Sequence, residues 1–283
     1  MVANHDADSG QSELKAQRSG SFGDVASLYE RFRPGPPQAA ITWMLPDGAT
    51  TVVDLGAGTG AMTKDLLDKV DRVIAVEPDD RMRGILAGNL PEVTALRGVG
   101  EAIPLEDSSV DAVLASASWH WMDPILALEE VARVLVPGGG LGVVWSGPDP
   151  EGPFLTAAQE MLSQMSSGPA APTTDADGAA DLGDVVMDTE NRVDTVLWIP
   201  QDSPFTQPEH QILTWDVAFN ADDLIGLLGT FSWIITMPDD RRAHVVSEAR
   251  RLLNEVLGIS GDVTVDVQFR SEAWRTRFGP PID

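Results

Sequence analysis

The residues whose spacing carries the most chemistry lie between Asp54 and Glu77. The β-branched run Thr51-Val52-Val53-Asp54-Leu55 leads directly into Gly56-Ala57-Gly58-Thr59-Gly60. Glycines at a strand-to-helix turn let the backbone approach a ligand closely, and the helix start offers free N–H groups. A second apolar run, Arg72 to Val76, ends at Glu77, 19 positions after Gly58. A carboxylate there can accept hydrogen bonds from both hydroxyls of a ribose. Alone, the loop could be a plain tight turn and Glu77 a solvated charge; at this spacing the two read together as a nucleoside site. Dinucleotide loops usually read G-x-G-x-x-G, because a pyrophosphate rests on the helix end. Here the glycines are evenly spaced at 56, 58 and 60, with Asp54 ahead of them. An acid so close to the loop suits a ligand carrying an ammonium group, such as S-adenosylmethionine, better than a diphosphate.

The segment Ser118-Trp119-His120-Trp121-Met122-Asp123 follows another apolar run, Val110 to Ala115. It therefore falls on the rim where open α/β sheets bind ligands. A histidine there titrates near neutrality and could act as a base, or it could pack between its tryptophan neighbours and shape a pocket. Trp119 and Trp121 could wall the site or fill the core, and alternation would send the two opposite ways. Tyr29 and Arg33 lie on one helical stretch ahead of the first strand, where Arg33 could pair with a carboxylate or remain a solvated charge. Arg241 and Arg242 read as a solvated pair. His210 and His244 are isolated, and no metal spacing is visible.

The elements that must position these residues alternate. Val25 to Phe32 has helical spacing and is stopped by Pro34, Pro36 and Pro37; Gln38 to Leu45 reads as a second short helix. Ala61 to Val70, Asp79 to Leu90 and Pro124 to Leu135 read as helices. Val93 to Arg97, Val110 to Ala115 and Leu141 to Trp145 join the two earlier runs as strands, with Pro137 to Gly140 as a turn. Strand–helix alternation with short connections implies a parallel α/β sheet with right-handed crossovers. Ser166 to Thr189 reads as a loop or insertion. Beyond it, Gln211 to Trp215 and Val263 to Phe269 read as strands, and Asp222 to Leu228 and Arg241 to Leu257 as helices. The expected organisation is a tail over 1–20, a ligand-binding core over 21–150, and an insertion and C-terminal part over 151–283 that completes the same domain.

The chain has 283 residues, 43% of them hydrophobic and 22% charged, which excludes a mainly disordered or fibrous protein. Its formal net charge of −25 opposes a nucleic acid or an anionic membrane as the main partner. With no cysteine there is no thiolate nucleophile and no disulfide. No apolar run is long enough to span a bilayer, and the polar N-terminus lacks a secretory h-region, so a cytoplasmic location is expected. Oligomeric state is not legible.

Four stretches carry a resemblance: VVDLGAGTG, VIAVEPDDRM, GVGEAIPLEDSSVDAV and EEVARVLVPGGGLGVVW. In this order and spacing they resemble the class I S-adenosylmethionine-dependent methyltransferases, in the small-molecule branch known as type 11. The SWHWMD segment is similar to the WHW variant of trans-aconitate-methyltransferase-like proteins. The resemblance implies a doubly wound, Rossmann-like, mostly parallel seven-stranded sheet with helices on both faces, a helical lid and an antiparallel last strand. It also implies a methyl transfer that releases S-adenosylhomocysteine. Asp54, Gly56, Ala57 and Gly58 would hold the methionine part and Glu77 the ribose. Pro78 and Met82 would pack at the adenine, with Gly100 and Glu101 at its edge. Ser116 would lie beside the homocysteine part, and Tyr29 and Arg33 would close over the cofactor. Many relatives carry an Asp on the adenine amine where this chain has Val99. The acceptor is expected to be a small molecule methylated at a carboxylate or hydroxyl oxygen, with Trp119 walling the site and His120 as the candidate base. N- or C-methylation, a nicotinamide-dependent oxidoreductase and a catalytically silent cofactor-binding protein are the rival readings.

Overall fold

A computed structural model describes residues 32, 34–153, 156, 196–230, 234, 238–256 and 258–279. Tyr29, Arg33, the expected tail and the expected insertion over Ser166 to Thr189 lie outside the described residues.

The elements in chain order are α1 (Gln38–Met44), β1 (Thr51–Leu55), α2 (Thr63–Leu66), β2 (Arg72–Val76), α3 (Asp80–Asn89) and β3 (Thr94–Leu96). They continue with β4 (Val110–Ser116), α4 (Pro124–Val134), β5 (Leu135–Pro148), β6 (Glu209–Phe219), α5 (Ala221–Leu228), α6 (Asp239–Arg251) and β7 (Val265–Arg277). One seven-stranded sheet has the order β3-β2-β1-β4-β5-β7-β6. β1 is parallel to β2 and β4, β2 to β3, and β4 to β5. β7 lies antiparallel between β5 and β6, as expected of the last strand. The strand order reverses at β1/β4, the kind of switch point where such sheets bind ligands.

Alternation along the strands separates two cores. Val53, Leu55, Ile74, Val76, Val113, Ala115, Val143 and Trp145 pack with α4 on one face. Val52, Val73, Ala112, Leu114 and Val144 pack with α1 and α2 on the other. A third cluster joins β6, β7 and α5, with Phe32 against Gly226. Side chains fix several helix starts: Asp79 accepts from the Arg81 and Met82 amides, Asp123 from Ile125 and Leu126, and Asn220 from Asp223. Arg133 ties down the segment ahead of β4. Its guanidinium donates to the carbonyls of Ile103 and Leu105 at 2.8 and 2.7 Å and pairs with Glu130 and Asp107.

Several sequence expectations change, among them the strand over Gln211 to Trp215, which runs Glu209–Phe219, and the helix over Arg241 to Leu257, whose α-helical part is Asp239–Arg251. The helix over Ala61–Val70 shrinks to Thr63–Leu66, because the bonds Asp65 N to Met62 O and Lys69 N to Leu66 O span three residues and tighten both ends into turns. The expected turn at Pro137–Gly140 lies inside β5, with a register shift opposite Val110–Ala112. A side chain at Gly140 would reach within 2.5 Å of Arg277 Nη1, so glycine lets this strand pass close to its neighbours. β7 continues past Phe269 to Arg277, its charged residues alternating with buried Ser271 and Ala273.

Candidate active site

The C-terminal ends of β1, β2 and β4 meet at the glycine loop. Gly56, Gly58 and Gly60 have φ of +70°, +57° and +96°, the left-handed region that favours glycine. The amides of Gly56 and Ala57 donate to Val76 O at 2.8 and 3.2 Å, pinning the loop to β2. Gly56 meets a second constraint. A Cβ there would lie 2.5 Å from Ser118 Cβ, and Ser118 Oγ donates to Leu55 O at 2.7 Å. The turn after β4 thus sits directly on the loop after β1. Near Gly58 the surroundings are open: among the described residues, Met82 Sδ at 3.9 Å is the only atom a Cβ would approach within 4 Å. Here the sign of φ and access to the backbone, rather than packing, require glycine.

Two acids flank the loop. Glu77 is 6% exposed; its Oε2 accepts from Gly58 N and its Oε1 from Asp79 N, both at 2.8 Å. Burial raises its pKa, and the two backbone donors oppose that rise. Asp54 is 1% exposed, and its Oδ2 accepts from Thr63 Oγ1 at 2.6 Å. Its Oδ1 is buried with no hydrogen-bond partner among the described residues. Burial lifts the carboxyl from 3.8 to about 7; the Thr63 hydroxyl pulls the other way and the nearby Glu77 charge adds to the rise. A buried acceptor without a donor is costly and asks for a cationic or donor ligand.

The adenine-edge candidates sit on a loop clipped to the turn after β4. Glu101 Oε1 accepts from Asp123 N at 2.5 Å, and a Cβ at Gly100 would fall 2.3 Å from Met122 Sδ. Glu101 therefore reaches across to the start of α4. Met82 is buried and Pro78 exposed beside Glu77, while Ser116 ends β4, half-buried. Trp119, His120 and Trp121 form a single 3-10 turn. Trp119 packs in the core at 5% exposure, while His120 and Trp121 are half-buried. The strand-like alternation expected of the two tryptophans gives way to this turn, and Trp119 is the one committed to packing. His120 Nδ1 accepts from Trp145 Nε1 at 3.2 Å, and its ring centroid lies 4.6 Å from that of Trp121.

The structure thus brings Asp54, Gly56, Ala57, Gly58, Glu77, Met82, Gly100, Glu101 and Ser116 to one region of the sheet edge. Thr63, Ser118, Met122 and Trp145 belong with them; from the sequence, Ser118 and Met122 stand out only as members of the SWHWMD segment, and Thr63 and Trp145 only as members of an expected helix and strand. Thr63 is nine positions from its partner Asp54. The Ser118–Leu55 and Trp145–His120 contacts are 63 and 25 positions apart and carry no local signal. Among the described residues no group of three or more His, Asp or Glu could hold a metal, and no helix is long and apolar enough to cross a membrane.

Comparison with known proteins accords with this geometry. Residues 53–143 match a domain family described as a methyltransferase domain. An uncharacterised methyltransferase of Mycobacterium tuberculosis is 38% identical over 233 residues, covering 82% of this chain and 85% of its own. One from Schizosaccharomyces pombe is 25% identical over 262 residues, covering 91% and 96%. A solved structure from Anaeromyxobacter dehalogenans, named as a type II methyltransferase, shares the fold with a TM-score of 0.58 at 22% identity, over 88% of this chain and all of that one. The chain belongs to the S-adenosylmethionine-dependent methyltransferase family.

Proposed function

We propose that this protein moves the methyl group of S-adenosylmethionine to an oxygen of a small-molecule acceptor, a carboxylate or a hydroxyl. The observation that carries the cofactor assignment is Asp54 Oδ1, a buried carboxylate oxygen with no partner among the described residues, beside a loop of left-handed glycines. The ammonium group of the cofactor's methionine part supplies the missing donor and the opposite charge. Each oxygen of Glu77 holds one backbone N–H and keeps a further lone pair for a ribose hydroxyl. Met82, Pro78 and Gly100 border the adenine, and Ser116 the homocysteine end. When bound, the cofactor supplies an electrophilic methyl group on a sulfonium. The residues of this chain then align the acceptor with it and exclude water.

The SWHWMD turn, on which the likeness to trans-aconitate-methyltransferase-like proteins rests, favours a carboxylate acceptor. Such an acceptor is already ionised at neutral pH, so its transfer needs no base. The strongly acidic chain supports a small metabolite over a nucleic acid as acceptor, in the cytoplasm.

The test is transfer of isotope-labelled methyl from S-adenosylmethionine to panels of small carboxylic acids, hydroxyl compounds and amines. Label in a base-labile ester or in an ether is the expected result. Label confined to nitrogen or carbon would overturn the oxygen assignment. Nicotinamide-dependent turnover without methyl transfer would overturn the whole reading.

A further inference from the structure

Trp145 places a buried hydrogen-bond donor against the ring of His120. It lies in β5, 8% exposed, in register with Glu272 of β7, and its indole nitrogen stands 3.2 Å from His120 Nδ1. An indole nitrogen donates and cannot accept. Nδ1 is therefore the acceptor of this bond and carries no proton. A neutral imidazole has one proton, which then resides on Nε2. We infer that Trp145 fixes His120 as the Nε2–H tautomer, so that His120 acts as a hydrogen-bond donor in methyl transfer and not as the general base. This rests on the reading of the site given above.

The surroundings hold the ring in place. The 3-10 turn is closed by Trp121 N to Ser118 O at 3.0 Å and by Met122 N to Trp119 O at 3.1 Å. Ser118 is bonded to Leu55 O, and Trp119 is buried in the core. The Trp121 ring packs against the imidazole. To serve as a base through Nε2, the ring would need its proton on Nδ1. That arrangement sets two N–H groups against each other and leaves the indole donor of Trp145 without this acceptor. The penalty for a buried unpaired donor corresponds to a tautomer bias of roughly ten- to hundredfold. Base action through Nδ1 is blocked as well, because that lone pair points at Trp145. A neutral hydroxyl acceptor would need another group to take its proton. An acceptor that is already ionised needs only the N–H donor to orient it.

The experiment is a long-range ¹H–¹⁵N spectrum of the full chain labelled at its histidines, at neutral pH. The chain has four histidines, and His120→Gln removes and so assigns the relevant signals. The expected spectrum shows Nδ1 of His120 unprotonated and Nε2 protonated. Trp145→Phe keeps an aromatic ring and removes the donor, and should raise the Nδ1–H population about tenfold or more. A proton on Nδ1 in the native chain, or no change in Trp145→Phe, would overturn the inference. Kinetics supply a second readout with whichever acceptor proves active. Glutamine offers an N–H near the place of Nε2 but no basic nitrogen. Transfer should fall less than about tenfold in His120→Gln and about a hundredfold in His120→Leu. Equal losses in both variants would mark a base. The spectrum does not depend on cofactor or acceptor, so it separates failure of this inference from failure of the methyltransferase reading.

Discussion

The two halves of the sheet edge are built by different means. At β1, β2 and β4 the polar contacts run largely through the main chain: the amides of Gly56 and Ala57 on Val76 O, those of Gly58 and Asp79 on Glu77, and Ser118 Oγ on Leu55 O. At β5, β7 and β6 they run between side chains on separate strands. Ser146 Oγ and Trp215 Nε1 both lie 2.9 Å from Ser271 Oγ, Arg275 pairs with Glu209 at 2.7 Å, and His210 stacks on Trp274. A site made by the main chain needs left-handed backbone and close approach, so it leaves glycines at set positions. A site made by side chains needs only strand register. The difference teaches where function is tied to a backbone shape and where it can be changed by side-chain substitution.

The largest way to break the first half is Gly56→Ala. The new methyl group meets Ser118 Cβ at 2.5 Å, and φ is +70°. Loss of about 3 kcal/mol in denaturant unfolding is expected, together with loss of cofactor binding. Gly147, in the other half, has no atom within 4 Å of its built Cβ among the described residues, and Gly147→Ala should stay within about 0.5 kcal/mol. Equal effects would remove the contrast. Next, Glu77→Ala leaves the amides of Gly58 and Asp79 without their acceptor. S-adenosylhomocysteine should bind roughly a hundredfold more weakly by calorimetry, and unchanged affinity would break the ribose assignment.

Asp54 sharpens the comparison through pH. Its carboxyl titrates near 7 when folded, against 3.8 without burial. Between those values the folded state holds a proton that the unfolded state has released. Stability from this group therefore falls as pH rises from about 4 to about 7, by roughly 4 kcal/mol in all, and does not return above that. Asp54→Asn should flatten this slope in thermal unfolding across the window while weakening S-adenosylhomocysteine at least tenfold. The native chain should bind that ligand more tightly as pH climbs through 7, because the ionised carboxylate meets an ammonium group. A native affinity independent of pH would contradict the pairing. A milder perturbation of the second half is Ser271→Ala. It removes the acceptor of Trp215 Nε1 in the second half and should cost about 1 kcal/mol in denaturant unfolding, with cofactor affinity unchanged. A cofactor defect there would show that the two halves are coupled.

The same contrast explains what the amino-acid sequence disclosed. Strand–helix alternation implied a parallel sheet, and the DLGAGTG run with Glu77 marked the loop proposed to hold the cofactor, because each needs local residue types. Thr63 escaped notice inside a segment with helical spacing, although its hydroxyl is the partner of Asp54. Trp145 closed a recognisable strand, but its bond to His120 exists only once β5 lies beside β4. The extent of β7 was hidden because Arg270, Glu272 and Arg275 look like surface charges until Ser271 and Ala273 are seen to be buried between them. Pro137–Gly140 reads as a turn by composition, yet these glycines serve a bulged strand that passes close to Pro46 and Arg277.

The most direct measurement is calorimetric titration of the full chain with S-adenosylhomocysteine, with NAD as the control. The account expects micromolar binding of the first and none of the second. Binding of NAD alone, or of neither, would contradict the assignment of Asp54, the glycine loop and Glu77 as an S-adenosylmethionine site.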